Sequence, residues 1–159
     1  MRFFFVLIIA AWLPSFLQAQ IPKKKNVAVL EFQRTGSVTQ DDALTLTNRF
    51  RGILVETKAF EMIEREKMKE ILKEQDFVLS DACNNTECAV QVGQLLGVEA
   101  MIAGDIGKVG QTYTIDLRLI DVRTGSIIQA KRQDQKGEID GLLDVMAVIA
   151  QGFAAAQKQ

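Results

Sequence analysis

Histidine is absent from this 159-residue chain, which excludes a histidine-based catalytic triad, zinc sites built on imidazole and a histidine pH switch. Aromatic side chains with a polar edge are nearly absent too, one Trp and one Tyr. That starves any stacking platform for single-stranded nucleic acid and weakens a sugar-stacking site. There is no excess of positive charge, with 19 basic against 20 acidic side chains and a formal charge of −1. Nucleic-acid binders rest on a basic surface that releases counterions, so nucleic acid is not an expected partner. No G-x-x-x-x-G-K-[ST] or G-x-G-x-x-G occurs, and Gly104, Gly107 and Gly110 read as turn residues rather than a phosphate loop.

What is present is an ordinary globular balance, 48% hydrophobic and 25% charged. The chain opens Met1-Arg2, runs apolar from Phe3 to Leu13, breaks at Pro14 and reaches Leu17-Gln18-Ala19-Gln20. A positive start, a short apolar stretch and a small residue before the cut describe a secretory signal peptide, with cleavage between Ala19 and Gln20. The apolar run is too short for a bilayer, which takes about 20 residues, and after cleavage no membrane span is expected. The division is then a signal peptide over 1–19, an exposed lead-in over 20–26 that includes Lys23-Lys24-Lys25, and one domain over 27–159.

Within that domain, Asn26 to Phe32 is nearly continuous in apolar residues, the pattern of a buried strand. Thr39 three residues before Asp42 is a capping box, and Leu46, Phe50, Ile53 and Leu54 then give one apolar helix face. Phe60–Ile63 reads as a short strand. Glu66–Gln75 reads as a charged helix with Met68, Ile71 and Leu72 inward, and Glu64, Arg65 and Glu66 as a strand-to-helix junction with local ion pairing. A third helix runs from about residue 87, after Thr86 or Asn85 as N-cap, with Ala89, Val92, Leu95 and Leu96 inward and Gly97 as its left-handed stop.

The rhythm then changes to period two. Ala100–Ile106 is strand-like; Tyr113, Ile115, Leu117 and Leu119 alternate with Thr114, Asp116, Arg118 and Ile120. Arg123-Thr124-Gly125 turns the chain into a third strand, Ser126–Gln135, polar enough for a sheet edge. Ile139, Leu142, Leu143, Met146, Ile149, Ala150 and Phe153 mark a closing helix. The fold class is α/β (α+β), one mixed sheet of about five strands with helices packed on it, in the order β-α-β-α-α-β-β-β-α.

Cys83 and Cys88 are the only cysteines, spaced C-x-x-x-x-C. In an exported chain an even pair predicts a disulfide. It closes only if Cys83 lies in the loop and Cys88 near the helix start, because five residues of regular helix separate the Cα atoms too far. Asn84-Asn85-Thr86 matches a glycosylation sequon, a common pattern better explained by helix capping. Asp41 and Asp42 fall in a first helical turn, where negative charge complements the dipole. No nucleophile has a base beside it, so no catalytic residue, metal ligand or cofactor is assigned. The edge formed by Ile127, Gln129, Lys131 and Gln133 is the expected interaction surface, since an unpaired strand can accept another chain by main-chain pairing.

Several segments in order resemble one bacterial family. They are Val27–Phe32, Phe60–Arg65 leading to Ile71–Gln75, Gly93–Val98, Gly104-Asp105-Ile106 and Leu119–Gly125. This order resembles the periplasmic domain of the curli production assembly/transport component family, the CsgG-type proteins. The resemblance implies a non-catalytic envelope protein, in the bacterial periplasm or associated with the outer membrane. Such a protein acts in transport or secretion by self-association or by binding an envelope partner. Its best-known members are lipoproteins that form a secretion channel through added β-hairpins. This chain has no lipid-acceptor cysteine beside the cut and no room for added membrane hairpins, whose strands need about 9 to 11 residues each, since the loop from Asp76 to Thr86 is about that short in total. A related class with a similar domain activates penicillin-binding proteins, so a wall-synthase activator module is the alternative reading.

Overall fold

Apolar Val27, Ala28 and Val29 form β1 (Asn26–Val29), buried alternately toward two separate cores, which is why this strand shows no polar alternation. The computed structural model describes residues 23–78, 83 and 85–157; the cut expected at Ala19–Gln20 and the sequon residue Asn84 fall outside them. After β1 comes a two-residue strand, β2 (Gln33–Arg34), and then α1 (Gln40–Thr57). The expected capping box opens α1. Thr39 Oγ1 accepts from the Asp42 amide at 3.1 Å and Asp42 Oδ2 accepts from the Thr39 amide at 3.2 Å. Leu46, Phe50, Ile53 and Leu54 are its buried face. Next are β3 (Glu61–Met62), α2 (Arg65–Glu74) and α3 (Thr86–Leu96). Asn85, not Thr86, caps α3, its Oδ1 accepting from the Cys88 amide at 2.8 Å. Gly97 ends the helix at φ 65°.

The chain finishes with β4 (Ala100–Val109), β5 (Thr112–Asp121), β6 (Ile127–Lys136), a 3₁₀ turn at Ile139–Gly141 and α4 (Leu142–Ala155). The sheet runs β3-β1-β4-β5-β6, with β2 also beside β4. β1 is parallel to β3 and β4, β2 is parallel to β4, and the two long hairpins are antiparallel. The fold is thus the expected mixed α/β sheet, with β2 as an added sixth strand. Helices α1 and α4 cover one face over Ile102, Ile106, Ile115, Leu117 and Leu119. Helices α2 and α3 cover part of the other, over Ala28, Met101, Ala103, Ile120 and Val122. Ile120, placed outward by strict alternation, is 1% exposed because α3 packs on that outer face.

Between β1 and β2 the chain carries one residue more than β4 opposite. Val29 pairs Ile102 and Gln33 pairs Asp105. This bulge takes the Phe32 amide out of the ladder, and buried Thr47 of α1 accepts it at 3.0 Å while donating to the Ala43 carbonyl at 2.7 Å. Replacing Thr47 by Val keeps the volume but orphans a buried N–H. Urea unfolding should show a loss of about 1–3 kcal/mol.

Candidate functional site

β6 is hydrogen-bonded to β5 on one side and is the terminal strand of the sheet order. The Gly137 amide donates to the Gln111 carbonyl at 3.0 Å. In an antiparallel ladder hydrogen-bonded and non-hydrogen-bonded pairs alternate, so the backbones of Gln129, Lys131, Gln133 and Gln135 turn toward β5. The free N–H and C=O groups of the outer edge therefore belong to Ala130, Arg132, Asp134 and Lys136. A bulge at Leu119/Ile120 shifts the register, so that Ile120 pairs Ile127.

The side chains of Gln129, Lys131 and Gln133 lie on the same face as core residues Leu119, Leu117 and Ile115, their cross-strand partners. Gln129 and Lys131 are half-buried, and Lys131 lies against Gly152 of α4. The Gln129 Oε1 is buried with no partner among the described residues. Ile127 is 50% exposed at the start of the strand. The structure thus brings the four sequence-predicted edge residues onto one strand and separates two roles within it. Their side chains contribute to packing against α4 or to the surface, while the intervening residues offer the unpaired backbone.

The opposite face of the hairpins extends beyond α2 and α3 and carries polar residues. Asp105 stands directly across from Asp116, and Asp116 across from Arg132. Arg118 Nη2 donates to Asp105 Oδ2 at 3.3 Å, and Arg132 Nε donates to Asp116 Oδ2. Asp116 Oδ1 and Arg118 Nε are buried without a partner among the described residues. Sequence reading did not single out this ladder, because on one strand Asp116 and Arg118 look like the ordinary solvent side of an amphipathic pattern.

Burial raises the Asp105 carboxyl above its ordinary value; Arg118 works against that shift and Asp116 adds to it. A raised folded-state pKa means that the folded protein holds this proton more tightly than the unfolded chain does. The stability benefit is complete below the ordinary carboxylate value and is lost as pH rises through the raised one. Asp105→Asn should therefore raise the melting temperature at neutral pH. That gain should vanish in melts at pH values below the carboxylate range.

Cys83 and Cys88 are joined, with Cα atoms 5.3 Å apart. Cys83 lies before the helix and is buried; Cys88 is in the first turn of α3. Among the described residues, no three of His, Cys, Asp and Glu gather as a metal site, and no helix is long and apolar enough to cross a membrane.

Sheet topology, the pair of helix layers and the one-sided terminal strand define a mixed α/β module with an exposed strand edge. The chain belongs to the curli production assembly/transport component CsgG family, whose model matches residues 16–111. Solved structures share the fold at low identity. The C-terminal domain of LpoB from Escherichia coli is 16% identical with a TM-score of 0.60, over 70% of this chain and 82% of that one. Lipoprotein GNA1162 from Neisseria meningitidis is 16% identical with a TM-score of 0.60, over 82% and 96%. The PelC dodecamer from Paraburkholderia phytofirmans is 15% identical with a TM-score of 0.53, over 84% and 88%. No curated protein sequence matches the chain.

Proposed function

We propose that this protein is a non-catalytic assembly component of the bacterial envelope, exported by its leader and acting in outer-membrane-associated transport or secretion. It works by joining copies of itself or an envelope partner along β6. The observation that carries the reading is a ten-residue strand with one side unpaired among the described residues. Such a strand is a template for main-chain pairing. Membership of the CsgG family and likeness in fold to a protein that forms a dodecamer support assembly over catalysis. Arg132, Asp134 and Lys136 are charges of the kind that blunt edges, so pairing here is selective for a strand that meets them with opposite charge.

The register determines the test. Proline at Gln129 or Lys131 would remove bonds to β5 and damage the fold. Proline at Ala130 removes only an outward N–H, which an edge strand tolerates. The wild type should sediment above monomer mass at high concentration, and Ala130→Pro should be monomeric with an unchanged circular dichroism spectrum. A wild type that stays monomeric and captures nothing from envelope extract overturns the proposal. Specific co-purification with a wall synthase, in place of self-assembly, selects the activator module instead.

A further inference from the structure

Away from β6, the carboxyl ends of β1 and β3 form a second place of interest. After β1 and its short continuation β2 the chain enters α1 on one face of the sheet, and after β3 it enters α2 on the other. In open α/β sheets such a reversal opens a crevice at the carboxyl ends of the strands, where ligands bind. In this chain that end of the sheet carries an arginine cluster. β3 ends before it can pair the Val29 carbonyl, and Arg51 Nη2 fills that place at 2.8 Å while its Nη1 donates to Asn48 Oδ1 at 2.9 Å. The bulge after β1 sets Glu31 beside it. Arg65 Nη2, from the first residue of α2, reaches Glu31 Oε2 at 3.3 Å. Gln40 Nε2 donates to Glu31 Oε1 and its own Oε1 accepts from Arg34 Nε at 2.8 Å.

Of the three guanidiniums only Arg65 pairs with Glu31 directly; Arg34 is linked to it through Gln40, and both oxygens of that carboxylate are occupied. Among the described residues Arg34 and Arg51 have no carboxylate within ion-pair distance. Nearby Glu64 makes no capping bond, and Glu66 is engaged by Lys69. Burial, and then the field of Arg65, hold the Arg51 guanidinium below its ordinary pKa, with Glu31 offsetting part of the effect. Left to itself the cluster has two unbalanced positive charges.

We propose that the cluster of Glu31, Arg34, Arg51 and Arg65 binds a dianionic phosphoryl group, either as free phosphate or as a phosphate monoester of a larger molecule. Two excess charges match a dianion, and the planar guanidinium fork suits its oxygens. Glu31 holds Arg65 directly, and Arg34 through Gln40, when no ligand is bound, and competes with the ligand for them.

Calorimetric titration of the purified protein with inorganic phosphate, against chloride of equal ionic strength, tests this. Saturable binding is expected at neutral pH. It should weaken at pH values well below the phosphoryl group's second pKa of about 6. Arg65→Gln should weaken it about tenfold, the scale of one charge-assisted bond. Arg34→Gln, on an exposed side chain, gives the same sign if the first variant melts early. Glu31→Gln should tighten binding, a result that a merely structural role for Glu31 does not give. A second titration with glycerol 3-phosphate separates the sources: equal affinity assigns an ester-borne group, and much weaker affinity assigns free phosphate. Absence of saturable binding, acetate binding as tightly as phosphate, or unchanged affinity in Arg65→Gln and Arg34→Gln overturns the site.

Discussion

Phe50→Ala is expected to lower the free energy of unfolding by about 3–5 kcal/mol, the range for deleting a large buried aromatic side chain. Phe50 is fully buried on α1. Its ring meets Phe32 edge-on at 5.4 Å and Phe153 at 6.1 Å, with interplanar angles of 64° and 85°. Such pairs add about 0.5–1.5 kcal/mol to what area burial alone supplies. The three rings come from the bulge after β1, from α1 and from α4, so one side chain joins three parts of the fold that are distant in sequence. A domain of this kind has about 5–15 kcal/mol in total, and this loss would be a large share of it. Urea unfolding should show a lower midpoint at an unchanged slope. A loss below about 1 kcal/mol would mean that the cavity collapses and the three-ring contact contributes little.

The elements legible in sequence are those with a local cause. The Thr39–Asp42 capping box, the Leu46–Leu54 stripe, the alternation of β5 and the glycines at Gly97 and Gly125 each act within a few residues of themselves, and each is present. Other features depend on what packs nearby. β2 spans two residues, too short to have a period, and exists because β4 runs on beyond Ile102, where β1 ends, and offers Asp105 and Ile106 as partners. Ile120 alternates like its neighbours yet is buried, since α3 and not water meets that face. Arg65 reads as one charge of a local Glu64-Arg65-Glu66 junction but reaches Glu31 across the sheet. Arg34, Arg51 and Arg65 share no motif, and only the strand order brings them together. The polarity of β6 marks an edge, but which of its amides are free is set by its register with β5.

Gly104→Ala should be the most damaging single-methyl addition in the sheet. A Cβ at Gly104 would lie 2.2 Å from the Asp116 carbonyl oxygen, 2.5 Å from Leu117 Cδ2 and 2.8 Å from Leu117 Cα. Two of these three atoms are backbone of the neighbouring strand, and Gly104 pairs directly with Leu117, itself fully buried. No rotamer change relieves such contacts, so β4 and β5 must separate at mid-strand, and the cost should reach the upper end of the roughly 1–3 kcal/mol typical of overpacking. Gly93→Ala meets Val122 Cγ2 at 2.4 Å and Met101 Cγ at 2.8 Å, but these are side-chain atoms that can turn away. It should cost less. Gly52, in the middle of α1 with nothing within 4 Å, is the control: alanine there should stabilise by about 0.5–1 kcal/mol through helix propensity. Urea unfolding of the three variants should rank them in that order, and Gly104→Ala no more costly than Gly93→Ala would show that the hairpin yields easily. The same displacement bears on assembly. β5 lies between β4 and the outer strand, so a shifted β5 carries β6 with it, and Gly104→Ala should weaken the self-association proposed for β6 at temperatures where it is still folded.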